Sequence, residues 1–202
     1  IQGASGSGKT YSSLLIAQGM VDDWTKIVVI DSEHGSSNLY ASLGPFYVLE
    51  LEPPYSPENY IKALKAAVAE VTPQCLIINS VSHCWEFLLD YHSSLPGNSF
   101  ANWSKITPRQ TAFINAILSL DAHTLVTMRT KQDYVLNLRD GKHVPEKVGL
   151  KAIQRDGFDY ELTICFDLDH NHFCTVSKDR TGLFDGKPEY RSFRLTHEHC
   201  AL

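Results

Sequence analysis

The sequence has no C-x-x-C pair, no excess of basic residues and no apolar run of bilayer length, and each absence removes a class of protein. The cysteines are Cys75, Cys84, Cys165, Cys174 and Cys200. Their odd count and wide spacing fit neither a disulfide framework nor a zinc ribbon, so a reducing compartment is expected. Uninterrupted apolar stretches are strand-length pieces such as Ile27-Val28-Val29-Ile30, far short of the roughly 20 residues that cross a bilayer, and no membrane partner is expected. Lys and Arg number 18 against 23 Asp and Glu, a net charge of −5. That balance excludes a surface that is basic all over, and leaves room for a local basic groove or one assembled between subunits. A chain of 202 residues can bury roughly 70% of its unfolded surface, so it needs no disulfide or structural metal to complete a core. Repeats, low-complexity tracts and long linkers are also missing, which points to a single domain over 1–202.

What is present begins at once. Gly3-Ala4-Ser5-Gly6-Ser7-Gly8-Lys9-Thr10 satisfies G-x-x-x-x-G-K-[ST] at every fixed position. In such a loop successive backbone N–H groups turn inward onto phosphate oxygens, with glycines giving the backbone angles and the space. Lys9 reaches the β and γ phosphates, the Thr10 hydroxyl is a ligand for Mg²⁺, and the helix starting at Lys9 adds its positive end. The loop requires a buried strand before it. Only Ile1 and Gln2 stand there, so the first strand is expected to be truncated in this sequence.

Downstream, Lys9 to Met20 has helical spacing, Ile27 to Ile30 reads as a buried strand, and Phe46 to Leu51 as another. Ser56 caps and Pro57 opens a helix whose apolar face is Tyr60, Ile61, Leu64, Ala67, Val68 and Val71. Cys75 to Ile78 is a further buried strand. Tyr91 to Lys105 reads as a long loop, Thr107-Pro108-Arg109-Gln110 as the capping box of a helix through Leu118, and Thr124 to Met128 as a strand. Short buried strands alternating with helices predict an α/β fold with a mostly parallel sheet covered on both faces. From Tyr134 the pattern changes to alternation, as in Tyr160, Leu162, Ile164, Phe166 and Leu168. Turns at Arg139-Asp140-Gly141-Lys142 and Asp169-His170-Asn171-His172 predict antiparallel hairpins at one edge.

Three further features carry chemistry. Glu33, just past the strand ending at Ile30, is placed to orient or deprotonate a water for in-line attack on a γ phosphate; the alternative is that Asp31 and Glu33 are solvated turn residues. Asn79 stands where phosphate-loop enzymes usually end a strand with an aspartate of the Mg²⁺ shell. It keeps an acceptor oxygen and loses the charge, so its role toward the metal is indirect, and a change of that kind costs about 10 to 100-fold in metal affinity. Lys178 and Arg180, two residues apart at a strand end, suit a pair of cationic fingers on a γ phosphate, or are simply a charged strand end. Weaker features are His83 beyond Asn79, Arg129 and Lys131 past a strand end, and two His/Cys groups (His170, His172, Cys174; His197, His199, Cys200) that lack the partner pair of a metal site.

Taken together, the sequence resembles the RecA-like ATPase core, and more closely the phage and prophage ATP-binding proteins that share it. The residues that carry the likeness are Gly3 to Thr10, Ile30-Asp31-Ser32-Glu33-His34, Pro53-Pro54-Tyr55-Ser56, Ser80 to Trp85, Thr127 to Lys131, Gln154 to Gly157 and Lys178 to Gly182. The resemblance implies a three-layer P-loop fold, ATP and Mg²⁺ as ligands, Glu33 as the catalytic glutamate, and Lys178 and Arg180 reaching across a subunit interface. It also implies ring or filament assembly, single-stranded DNA as a partner, and a cytoplasmic setting in a bacterial host or a phage-encoded origin. Two functions stay open: a recombination or annealing ATPase that turns ATP and water into ADP and phosphate, and a nucleotide-gated assembly or DNA-binding protein that hardly hydrolyses because of Asn79. A small-molecule kinase is a third class, for which the hairpin region offers no arginine-rich lid.

Overall fold

The computed structural model describes residues 1–139, 142–196 and 198. Its strands are β1 (Gln2–Gly3), β2 (Ile27–Asp31), β3 (Tyr47–Glu50), β4 (Cys75–Asn79), β5 (His123–Val126), β6 (Met128–Arg139), β7 (Lys142–Ala152), β8 (Ile164–Leu168) and β9 (Cys174–Asp179). The helices are α1 (Lys9–Val21), α2 (Pro57–Val71), α3 (Ser82–Ser94), α4 (Ser99–Leu118) and the short α5 (Phe158–Glu161).

β3, β2, β4 and β5 lie side by side and parallel. The neighbouring group runs β7, β6, β1, β8, β9. The two groups join where β5 gives way to β6: the Ile1 amine donates to the Val126 carbonyl at 2.8 Å, and the Met128 N–H donates to the Ile1 carbonyl at 2.9 Å. β1 is therefore flanked by β6 on one side and by β8 on the other, parallel to both. The antiparallel pair β8–β9 closes that edge, whereas the second hairpin, β6–β7, leaves the sheet from its middle. The turn residues Asp140 and Gly141 fall outside the described residues, as do His197, His199 and Cys200.

The period of two along the buried strands sorts their side chains into layers. Ile27, Val29, Cys75 and Ile77 pack with Leu14 and Ala17 of α1 on one face. Val28, Ile30, Leu76 and Ile78 pack on the other face with Tyr60 and Leu64 of α2 and Phe113 and Ile117 of α4. The result is the three-layer α/β arrangement anticipated above, with all strand C-terminal ends of the parallel part, and the phosphate loop, at one edge.

Two elements differ from the sequence reading. The capping box at Thr107 is not a helix start: α4 already begins at Ser99, where the Asn98 side chain accepts from the N–H groups of Phe100 and Ala101, and Pro108 lies inside the helix. Proline normally costs a helix about 3 kcal/mol. Here it sits on the exposed side, while Asn102, Ile106, Gln110, Phe113 and Ile117 form one continuous buried stripe, and packing of that stripe outweighs the local defect. The segment read as a long loop is consequently the end of α3 and the start of α4, and Trp103 stacks between Trp85 and His92. Tyr160 and Leu162, in turn, are not strand residues. Gly157, at φ 88°, opens α5 in front of β8, and alternation in the sequence had mimicked a longer strand.

Candidate functional site

The loop between β1 and α1 has the form of a phosphate cradle. Gly6 (φ 78°) and Gly8 (φ 91°) take left-handed conformations, and a Cβ on Gly6 would point into open space. A Cβ on Gly3 would come within 2.5 Å of Ser7 Oγ and 2.7 Å of the Leu168 carbonyl, so the loop can lie close on β8 only with glycine there. Ser7 Oγ is buried without a hydrogen-bond partner. Lys9 folds back over the loop, its ammonium donating to the carbonyls of Gly3 (3.0 Å) and Ala4 (2.9 Å). Burial pushes the Lys9 ammonium below its ordinary value, Glu33 opposes that shift, and Arg129 adds to it. The residues thus fit a phosphate chain: a glycine-rich backbone, a helix N-terminus free of acidic side chains in its first turn, and a cation that can exchange two carbonyl contacts for anionic oxygens.

Asn79 ends β4 fully buried, with hydroxyl groups as its side-chain partners. Its Oδ1 accepts from Thr10 Oγ1 (3.3 Å) and from Thr127 Oγ1 (2.7 Å), and its amide donates to Ser36 Oγ (3.4 Å). Asn79 accepts a hydrogen bond from the Thr10 hydroxyl, which leaves that oxygen's lone pairs free for Mg²⁺. The donors are hard oxygen atoms, and Mg²⁺ commonly rests on one or two protein oxygens with phosphates and waters completing its shell, so the site suits that ion. Among the described residues no group of three His, Cys, Asp or Glu could hold a metal.

Asp31 and Glu33 divide two jobs. Asp31 is buried and its carboxylate accepts from the N–H groups of Glu33 (2.6 Å) and Ser37 (2.7 Å), shaping the segment after β2. Glu33 stands on that segment, and its Oε1 accepts from Arg129 Nε at 2.9 Å. The solvated-turn alternative therefore does not describe Asp31. His83 takes the packed role: Nδ1 meets Ser32 Oγ at 2.8 Å, the ring stacks on Tyr55, and burial, with Arg129 assisting, lowers its pKa.

From the other side the β8–β9 turn closes on the loop. His172, at φ 65°, donates from Nδ1 to the Ser7 carbonyl at 3.0 Å, and its ring lies 3.1 Å from where a Gly8 Cβ would be.

A protein-family model described as an AAA domain matches residues 1–191. The chain belongs to that AAA domain family. Among solved structures it is similar to a KaiC-like protein from the hyperthermophilic archaeon Pyrococcus horikoshii, at 16% identity and a TM-score of 0.51, over 89% of this chain and 77% of that one. This likeness establishes the three-layer P-loop fold. No curated protein matches. Within the described residues no helix is long and apolar enough to cross a membrane.

In this AAA domain the structure brings Gly3 to Thr10, Glu33 and Asn79 to one edge of the sheet, and sends Lys178 and Arg180 to the other. Leu168 pairs with Cys174 beside the loop, and β9 then runs antiparallel until Lys178 pairs with Cys165, roughly 10 Å down the strand. Lys178 donates to the carbonyls of Asp159 (2.7 Å) and Tyr160 (2.8 Å) at the end of α5. Asp179 fixes the turn that follows, accepting from the N–H groups of Thr181, Gly182 and Phe184. Positions 178 and 180 therefore lie at the opposite end of β9 from the phosphate loop of their own chain. The sequence reading missed the pairing of Arg129 with Glu33, the Thr127 hydroxyl under Asn79, the His172 contact, and the aromatic pair Tyr11–Tyr40, centroids 5.6 Å apart, beside the start of α1. Thr127 carried a usable signal: a polar residue just past the end of β5, beside Asn79 at the end of its neighbour β4.

Proposed function

We propose that this AAA domain is an ATPase that binds ATP on Gly3–Thr10 and hydrolyses its terminal phosphate, serving DNA recombination or annealing of the phage or bacterial kind. The observation that carries the reading is the loop itself, with two left-handed glycines, a buried lysine and Thr10 oriented by Asn79. Lys9 would hold the β and γ phosphates, and Thr10 would bind Mg²⁺, whose chemistry is to neutralise charge developing between those phosphates. Glu33 is the base that orients or deprotonates water. Tyr11 and Tyr40 offer ring faces beside the loop for the base of the nucleotide. Because β9 carries Lys178 and Arg180 away from the chain's own loop, the reading assigns them to the phosphate of a neighbouring copy in a ring or filament.

ATP turnover by the full chain, measured with and without single-stranded DNA beside a Lys9→Ala control, tests this. Turnover above the control that rises with DNA is expected. Binding of ATP with neither turnover nor DNA binding at low salt would remove the recombination reading.

The uncharged side chain of Asn79, bonded only to hydroxyl groups, supports a second reading, a nucleotide-gated assembly protein with little turnover. Asn79→Asp separates the two. Thr10 and Thr127 both donate to position 79, so a carboxylate there would be well supplied, and it would stand in register beside Asp31. On the gated reading the variant should gain about 10 to 100-fold in Mg²⁺ affinity, read as the Mg²⁺ dependence of turnover, with a sharp rise in rate. An unchanged rate counts against that reading.

A further inference from the structure

β9 is the last strand of its group, and the returning chain covers its first residue. Cys174 exchanges both backbone bonds with Phe193: its N–H donates to the Phe193 carbonyl (2.6 Å) and its carbonyl accepts from the Phe193 N–H (3.1 Å). In an antiparallel strand the polar groups of residues i and i+2 point to the same side. Cys174 and Val176 both lie on the regular stretch of β9, before its register shift, so Val176 turns its N–H and carbonyl to the same outer edge. In that register its partner would be Arg191. The Arg191 N–H donates instead to the Pro188 carbonyl (3.3 Å), because the chain there coils into a short 3-10 turn, Pro188–Tyr190. The two segments part, and a groove of about 460 Å³ opens between them. Val176 to Asp179 form one wall, and Phe184, Lys187, Tyr190 and Arg191 the other.

The groove is built and charged. Phe184, Tyr190 and Phe193 pack against one another with ring centroids 5.0 to 6.0 Å apart, which gives its far wall a fixed aromatic backing. Lys187 and Arg191 are exposed on the rim, the Lys187 ammonium lying 5.5 Å from the Tyr190 ring. Two carboxylates also line it, Asp179 and Asp185. The first has its oxygens taken by the N–H groups of Thr181, Gly182 and Phe184 in its own turn, so it offers little charge to a ligand. Lys178 belongs to the wall too, but its ammonium is bound to the carbonyls of Asp159 and Tyr160. Recognition of a ligand therefore falls to Lys187, Arg191 and the outer edge of Val176.

We propose that this groove takes an extended acidic segment of a partner protein, which adds as a strand to the outer edge of β9. Val176 to Asp179 span about 13 Å, room for about four residues of a paired strand. A strand edge presents donors and acceptors in alternation, which a peptide backbone matches. A phosphate chain carries acceptors only and would leave the carbonyls unpaired. Glutamates at every second position of the incoming strand would all face one side, where Lys187 and Arg191 stand. The proposal is independent of the ATPase reading.

The probe is a fluorescein-labelled pentapeptide alternating glutamate and valine, added to the full chain. Saturable binding by fluorescence anisotropy is expected, weakened about tenfold in the double variant Lys187→Glu, Arg191→Glu, since two exposed charge pairs are lost and reversed. The milder pair Lys187→Gln, Arg191→Gln should lie between, and thermal melts should show all of them folded, because both residues are exposed. The second readout does not depend on charge: exchange of the Val176 N–H with solvent deuterium should slow when the peptide is added, and should not slow with the same peptide N-methylated at alternate residues on its pairing edge. No saturable binding up to about 1 mM, or binding equal in wild type and the reversed variant, overturns the proposal. So does binding that leaves Val176 exchange unchanged. Oligothymidylate that binds the groove in place of the peptide, lost in the same variants, would make the ligand a nucleic acid. Dissociation of a wild-type oligomer in the reversed variant, seen by light scattering, would make the occupant a second copy of this chain. Either result also overturns the assignment to a separate acidic partner.

Discussion

Lys9→Ala protein is expected to bind ATP at least a hundredfold more weakly than wild type, and to show no turnover above background. Hydrogen bonds to charged groups contribute about 1.5–3 kcal/mol each, and Lys9 would make one to each of two phosphates, so about 3–6 kcal/mol of binding is at stake, or roughly 10² to 10⁴ in affinity. The fold should survive, because Lys9 sits at the first position of α1 and its present partners are two loop carbonyls that water can reach through the open face at Gly6. Calorimetric titration with ATP·Mg²⁺ reads the affinity, and a thermal melt reads the fold. An affinity within about threefold of wild type would mean that the loop does not grip a phosphate chain through Lys9.

Glu33→Gln makes the complementary cut. Glutamine has the same shape and keeps an acceptor for Arg129, and its backbone N–H still donates to Asp31, so the segment after β2 is held as before. What disappears is the negative charge needed to take or orient a proton. Losing a general base typically costs about 10²–10⁴ in rate, so kcat should fall by that factor while the ATP dissociation constant stays within a few fold. Single-turnover measurements at saturating ATP separate the chemical step from product release. A loss smaller than about tenfold would place water activation elsewhere, and His83, which bonds Ser32 next to Glu33 and feels the Glu33 charge, would be the group to test.

These two residues differ in how openly the sequence announced them. Lys9 belongs to a motif whose parts are adjacent, so backbone geometry and chemistry are both local and could be read directly. β2 and β4 were equally legible because strands buried on both faces leave unbroken apolar runs. Glu33 could be placed at a strand end, but its partner lies 96 residues away, and no local pattern joins Glu33 to Arg129. Pro108 misled for the opposite reason: its local signal was strong, and the packing of α4 that overrides it is a tertiary property. Lys178 and Arg180 were legible as a cationic strand end, yet only the antiparallel course of β9 shows which end of the sheet they occupy.

The neighbours of β1 also bear on how the protein is made. That strand supports the phosphate loop, yet it pairs with Met128 and Asp167, and the loop's own clasp comes from His172, 165 residues beyond Ser7. A ribosome adding about 5–20 residues per second needs on the order of ten seconds to cover that distance. For the later part of that interval the residues proposed to hold nucleotide have been synthesised and have β6 beside them, but they lack β8 and the His172 clasp. Competence to bind ATP should therefore arrive late and all at once, when the β8–β9 hairpin emerges, and nascent chains halted before Ile164 should lack it.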